Sequence, residues 1–172
     1  MARILIVGGG CRGRLLAGDL VGKGHALRIT TREERGRAAI EAAGAECWIG
    51  TPDRLGTLRG ALENVTLACW LLGSARGNEQ QLRALHGSRL EAFVRQLVDT
   101  TVRGFVYEAA GSTAATRDLA AGESIARALT EKNAIPMVAL AADPAGLTAW
   151  LAQARDAVHA LLEPPAPRGS SR

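Results

Sequence analysis

From Arg3 to Leu162 the chain alternates between two patterns: short, nearly continuous apolar runs, and stretches in which apolar residues recur every three or four positions. The first pattern suits strands buried on both faces, and the second suits amphipathic helices. Residues 3–7 predict a first strand ended by glycines, residues 15–21 a helix, and residues 27–29 the start of a second strand. The alternation continues with a helix over 33–43 that stops at Gly44, a strand over 46–49, a helix over 54–62 and a strand over 66–72. Residues 79–98 carry a helical stripe of Leu82, Leu85, Leu90, Phe93, Val94 and Leu97, weakened in its middle by Gly87. A fifth strand over 104–108, a helix over 123–132, a sixth strand over 136–141 and a last helix over 145–162 complete the series. Asp143 and Pro144 stand where a cap and a first-turn proline would open that last helix.

Six strands separated by helices predict a single α/β domain, a doubly wound parallel sheet with helices on both faces, because strand-to-strand crossovers are right-handed. Residues 1–163 are expected to form it. Residues 164–172, with three prolines and a Gly-Ser-Ser-Arg end, are expected to be a disordered tail. Ligands of such sheets bind beyond the carboxyl ends of the strands, where the strand order reverses. That edge is predicted to be built from residues 8–13, Thr31, Arg32, Gly50, Thr51, residues 72–74 and residues 109–113.

Composition narrows the setting. The hydrophobic share of 47% and charged share of 22% are ordinary for a globular domain. No stretch approaches the ~18 apolar residues of a membrane span, and the four-residue run after Arg3 is too short for a signal peptide. Cys11, Cys47 and Cys69 are odd in number and not paired with histidines at metal-ligand spacing, which points to a reduced, cytoplasmic setting without a metal. Cys47 and Cys69 fall in predicted buried strands, while Cys11 lies in the glycine turn. The net charge of +4 raises nucleic acid as a partner. The basic residues, all arginine except Lys23 and Lys132, are scattered, and 3% aromatics is too few for a base-stacking platform, so no nucleic-acid partner is expected.

Gly8, Gly10 and Gly13 form a G-x-G-x-x-G between a predicted strand and a predicted helix. The first glycine permits a tight turn, the second lets a pyrophosphate approach the backbone, and the third lets helix and strand pack closely, with the helix N-terminus facing the anion. The pattern continues with Ala17, Leu20, Gly24 and His25, then Thr31 and Arg32, then Gly44, Ala45 and Glu46, then residues 102–107, Val-Arg-Gly-Phe-Val-Tyr. Over residues 2–142 this order resembles the atypical and extended short-chain dehydrogenase/reductase group, in particular NmrA-like NAD(P)H-binding proteins. The resemblance implies a Rossmann fold with cofactor contacts from Gly8, Gly9, Gly10, Cys11, Arg12, Gly13, Thr31, Arg32, Thr51, Leu72, Gly73 and Ser74. The second strand ends in threonine and arginine rather than the acid that NAD-selective folds use, so NADPH is the expected cofactor and NAD the alternative. The same lack of an acid disfavours a flavin.

Four departures weaken the case for the group's chemistry. Thr51 follows Gly50 where an aspartate is common. Alanines stand where serines usually end the fifth strand. The Tyr-x-x-x-Lys pair is missing, since Tyr107 is the sole tyrosine and Gly111 stands four residues later. Little chain follows the sixth strand to form a substrate lobe, and a homodimer or partner protein is the expected way to cover the cleft. Tyr107 is expected to pack inside its strand. His25, His86 and His159 are too far apart for a ligand set, although His86 is a candidate to face the cleft. Ser112 and Thr113 are candidates to touch a substrate, and Glu108 and Glu123 are the nearest carboxylates to that edge. The sequence thus predicts a cofactor-binding protein that lacks the usual catalytic residues, with a small NADPH-dependent reductase or nucleotide-sugar epimerase-like enzyme as the alternative.

Overall fold

The structure, a computed structural model, describes residues 1–8 and 10–163. The predicted disorder of 164–172 falls outside the described residues. Six parallel strands run in the order β3-β2-β1-β4-β5-β6. They are β1 (Arg3–Val7), β2 (Ala26–Thr31), β3 (Glu46–Ile49), β4 (Leu67–Trp70), β5 (Phe105–Glu108) and β6 (Met137–Leu140). The order reverses between β1 and β4, which opens a crevice at their carboxyl ends.

Alternation along each strand feeds two cores. Ile4 and Ile6 of β1, Leu67 and Cys69 of β4 and Val106 of β5 pack under α1 (Cys11–Gly22), α2 (Arg37–Ala42) and α6 (Leu147–Leu162). Leu5, Val7, Ala68, Trp70, Phe105 and Tyr107 face α3 (Glu79–His86), α4 (Ser88–Leu97) and α5 (Thr116–Lys132). This is the predicted doubly wound sheet with helices on both faces. Among the described residues no helix is long and apolar enough to cross a membrane.

Several boundaries differ from the sequence reading, each for a local reason. The helix predicted over 15–21 begins at Cys11, because the glycine turn leads straight into it. The helix expected over 33–43 starts with an extended Glu33 and a 3-10 turn at Glu34–Gly36 before α2. Residues 54–62 form two 3-10 turns, Leu55–Leu58 and Gly60–Leu62, because the Thr57 hydroxyl takes the Arg54 carbonyl (2.6 Å) that a helix would need. The stretch over 79–98 divides at Gly87 into α3 and α4, and an Asn78–Gln81 capping box opens α3. The helix α5 starts seven residues before its predicted start at Glu123, in a polar and alanine-rich segment with little apolar period. The Asp143 carboxylate accepts from Ala145 N (2.8 Å) in a turn, and α6 starts only at Leu147. Cys47 is half-buried rather than buried because β3 is an edge strand, whereas Cys69 is buried and Cys11 exposed.

Candidate functional site

The three glycines of the turn have three different surroundings. Gly8 has φ +123°, and a Cβ there would overlap the Leu71 carbonyl oxygen just past the end of β4. At Gly13 a Cβ would overlap the Gly8 carbonyl oxygen. Only glycine fits either place. Gly10 is the opposite case, with ordinary extended backbone (φ −67°, ψ 179°) and no atom within 4 Å of where a Cβ would stand. The open space lies over the first turn of α1, where backbone amides lack helical partners and the helix dipole favours an anion. The Thr30 hydroxyl of β2 accepts from Gly8 N (3.3 Å) and ties the turn to the sheet.

This turn is one wall of a cavity of about 690 Å³, within the usual size of small-molecule sites. Of the residues predicted for it, Gly8, Gly10, Cys11, Arg12, Gly13, Thr31, Arg32, Leu72 and Ser74 line the cavity. Gly9 lies outside the described residues. Thr51 and Gly73 do not line it. The Thr51 hydroxyl accepts from Asp53 N (3.2 Å) inside the loop after β3, and Gly73 is buried with its N–H donating to Glu108 Oε2 (2.7 Å).

The charges around the cavity are mostly positive. Arg12, Arg14, Arg32, Arg35 and Arg76 line it, against Glu33 and Glu108, a balance that attracts an anionic ligand. Arg32 is 56% exposed and pairs with Asp53 (3.5 Å), not with Glu33 or Glu34, which are held by Arg35 and Arg37. Asp53 lies two residues beyond Thr51, so an acid does reach this edge although the position after Gly50 holds none. Arg89 of α4 also reaches Asp53 (3.7 Å) and donates to the Pro52 carbonyl (3.0 Å), which fixes this loop.

Sequence reading missed Trp150, and it named Glu108 only as a carboxylate near this edge, without its partners; both line the cavity. Glu108 follows Tyr107 at the end of β5, so alternation turns its side chain to the α1 and α6 side, while Tyr107 faces α4 and α5. Its Oε1 accepts from Trp150 Nε1 (2.9 Å) and from Arg12 Nη2 (3.3 Å). The Arg12 guanidinium also lies 5.5 Å from the centre of the Trp150 ring. Burial pushes the Glu108 carboxyl above its ordinary value, opposed first by the Arg12 charge and then by the Gly73 and Trp150 hydrogen bonds. Period two placed Glu108 opposite Tyr107, but nothing local announced that residues 42 and 96 positions away would meet it.

Tyr107 is packed inside, as expected. Its hydroxyl contacts His86 Nδ1 (2.9 Å) and donates to the Leu119 carbonyl (3.2 Å), and burial raises its phenol well above the ordinary value. His86 is buried behind Leu72, with Nε2 3.3 Å from that carbonyl, and does not face the cleft. Burial lowers its imidazole below the ordinary value. The Thr113 hydroxyl donates to the Ala75 carbonyl (2.7 Å) and Ser112 N to Ser74 Oγ (3.1 Å), so both brace the loop after β4. Among the described residues no three His, Cys, Asp or Glu side chains gather to hold a metal.

Solved structures share this architecture. An Agrobacterium tumefaciens short-chain dehydrogenase/reductase superfamily protein with bound NAD matches over 80% of this chain and 48% of its own, with TM-score 0.64 and 18% identity. The chain has the fold of the short-chain dehydrogenases/reductases. Citrobacter sp. triphenylmethane reductase complexed with NADP(H) matches over 80% of this chain and 48% of its own (TM-score 0.60, 19% identity). Bacillus cereus UDP-glucuronic acid 4-epimerase in complex with NAD matches over 80% and 55% (TM-score 0.62, 11% identity). The chain therefore spans about half the length of these proteins. No family model and no curated protein matches the sequence.

Proposed function

We propose that this chain is an NAD(P)(H)-binding protein of the atypical short-chain dehydrogenase/reductase kind, that it prefers NADPH, and that it lacks the usual tyrosine-dependent catalysis or depends on a partner for it. The observation that carries the reading is the glycine turn, in which two glycines are closed by backbone and the middle one is left open at the entry to α1. Three proteins of the same fold, solved with NAD or NADP(H), support it. In this reading the turn Gly8, Gly9, Gly10, Cys11, Arg12 and Gly13 holds the diphosphate. Thr31 and Arg32 hold the ribose phosphate, Leu72 and Ser74 complete the lining, and Thr51 and Gly73 hold the loops behind it. A nicotinamide cofactor, when bound, supplies hydride chemistry. The chain's own part is to orient it and to set the charge around it.

The absence of catalysis rests on Tyr107, whose phenol is engaged on the opposite face of the sheet. A second reading, a small NADPH-dependent reductase or nucleotide-sugar epimerase-like enzyme, is favoured by one observation, the buried Glu108 carboxyl that lines the same cavity. NADPH oxidation with simple quinones, flavins and carbonyl compounds separates the two. The first predicts binding without sustained oxidation, and steady oxidation by the purified chain establishes the second.

A further inference from the structure

At the inner wall of the cavity a carboxylate and a guanidinium are withdrawn from water together. The Glu108 side chain is 1% exposed and that of Arg12 is 24% exposed, with 3.3 Å between them. The other partners of Glu108 are neutral: Gly73 N–H from the loop after β4 and the Trp150 indole N–H from α6. The neighbouring strand β6 pairs Glu108 with Leu140, and the Tyr107 phenol lies across the sheet, held neutral by burial. Among the described residues, Arg12 is the cation that contacts this carboxylate. Removing it would leave a buried charge with two neutral donors, a state that proteins avoid by protonation.

Arg12 is itself incompletely satisfied, because its Nε is buried without a hydrogen-bond partner. A buried charged donor left unmade is costly, so the inward position of the guanidinium is not its best one once a better acceptor is present. Arg12 stands in the first turn of α1, two residues after Gly10, and both line the same cavity. A diphosphate over the glycine turn would offer this side chain ionised oxygens in charge-assisted, bidentate geometry.

We infer that an anionic ligand at the glycine turn draws Arg12 away from Glu108 and that Glu108 then takes up a proton, so that ligand binding and protonation of this carboxylate are one linked event. The proton comes from the buffer and forms an O–H bond on Glu108. Nothing is oxidised or reduced. Burial already raises this carboxyl, and the Arg12 charge is the largest influence holding it down, so withdrawal of Arg12 acts in the required direction. By linkage, affinity for the ligand rises as pH falls toward the range in which the bound form holds the proton and the free form does not. The protonated carboxyl is then an acid beside the cavity, in a chain whose tyrosine is engaged elsewhere.

The inference rests on the reading that a dinucleotide binds at this turn, and one experiment keeps the two apart. NADPH is titrated by calorimetry between about pH 6 and pH 8 in buffers of different ionisation enthalpy, which counts protons taken up per NADPH bound. The 2′-phosphate of NADPH titrates near 6 as other phosphate monoesters do, so the quantity read is the difference between the protein and its variants. The unmodified protein should take up more protons than Glu108→Gln, by a difference approaching one at the most favourable pH. It should exceed Arg12→Met in the same way, since Glu108 has lost its cation before the ligand arrives in that variant. The second variant keeps the test intact if the first does not fold. Equal proton counts in the unmodified protein and a folded variant that binds NADPH would overturn the coupling and leave the dinucleotide reading standing. Failure of the unmodified protein to bind NADPH would overturn both.

Discussion

Three glycine-to-alanine changes in α1 and its entry should have three different outcomes, and the differences follow from what each new Cβ meets. In Gly13→Ala the methyl group overlaps the backbone carbonyl of Gly8, which cannot yield without parting α1 from β1. Overpacking of this kind costs about 1–3 kcal/mol, and a rigid backbone neighbour puts it at the upper end. Alanine's helix propensity returns up to about 1 kcal/mol, so a net loss of about 2 kcal/mol is expected. In a chain of this size that lowers Tm by roughly 4–8 °C. Gly18→Ala lies in the same helix, exposed and with nothing within 4 Å, and should gain about 0.5–1 kcal/mol. Gly10→Ala sits at the N-cap without strain. A slightly poorer cap, worth a few tenths of a kcal/mol or more, and a less flexible unfolded chain, worth about 0.4–1 kcal/mol, should nearly cancel. Urea denaturation followed by circular dichroism reads all three. A Gly13→Ala protein as stable as Gly18→Ala would refute the close approach on which the turn's geometry rests.

Other consequences concern selectivity, packing and pH. Arg32→Ala should leave stability nearly unchanged, since its Asp53 pair is exposed. It should also reduce the preference for NADPH over NADH by about tenfold, or ~1.4 kcal/mol, and equal affinities in the unmodified protein would remove Arg32 from the site. Tyr107→Phe should cost about 1–2 kcal/mol, because the His86 nitrogen and the Leu119 carbonyl lose a buried partner, while NADPH affinity stays constant. A large affinity loss in that variant would mean the phenol reaches the cavity. The folded imidazole of His86 is shifted down, so the unfolded chain binds its proton first and stability should fall as pH drops below the ordinary histidine value near 6.5. Glu108 is shifted up and opposes this slope, and His25, shifted down, adds to it. His86→Gln should flatten the acid-side loss seen in denaturation from pH 7 downward; an unchanged slope would contradict a buried neutral His86.

The sheet was legible because its strands are short apolar runs between glycines. β1 and β3 fall on the expected residues, and the alternation that buries Tyr107 can be counted along the chain. The glycine turn was legible for the same local reason, since its three glycines fall within six residues that leave one strand and open one helix. Helix starts were harder wherever polar side chains or glycines competed with the helical period, as at Thr57 and Gly87. Arg12, Glu108 and Trp150 come from α1, β5 and α6 and meet only because the strand order reverses between β1 and β4. Sequence spacing carries no trace of that meeting. Thr30 and Asp53 were hidden likewise, since their roles depend on β1 lying beside β2 and on the loop after β3 folding toward Arg32.

The central claim, that the space over Gly10 is a dinucleotide site, is tested most directly by calorimetric titration of the unmodified protein and of Gly10→Val with NADPH. A valine side chain would fill that space, and the ordinary backbone angles of Gly10 let the fold survive it. The account predicts binding to the unmodified protein with one site per chain and none to a folded Gly10→Val protein. Equal affinity for the two proteins, or no binding to the unmodified one, would contradict it.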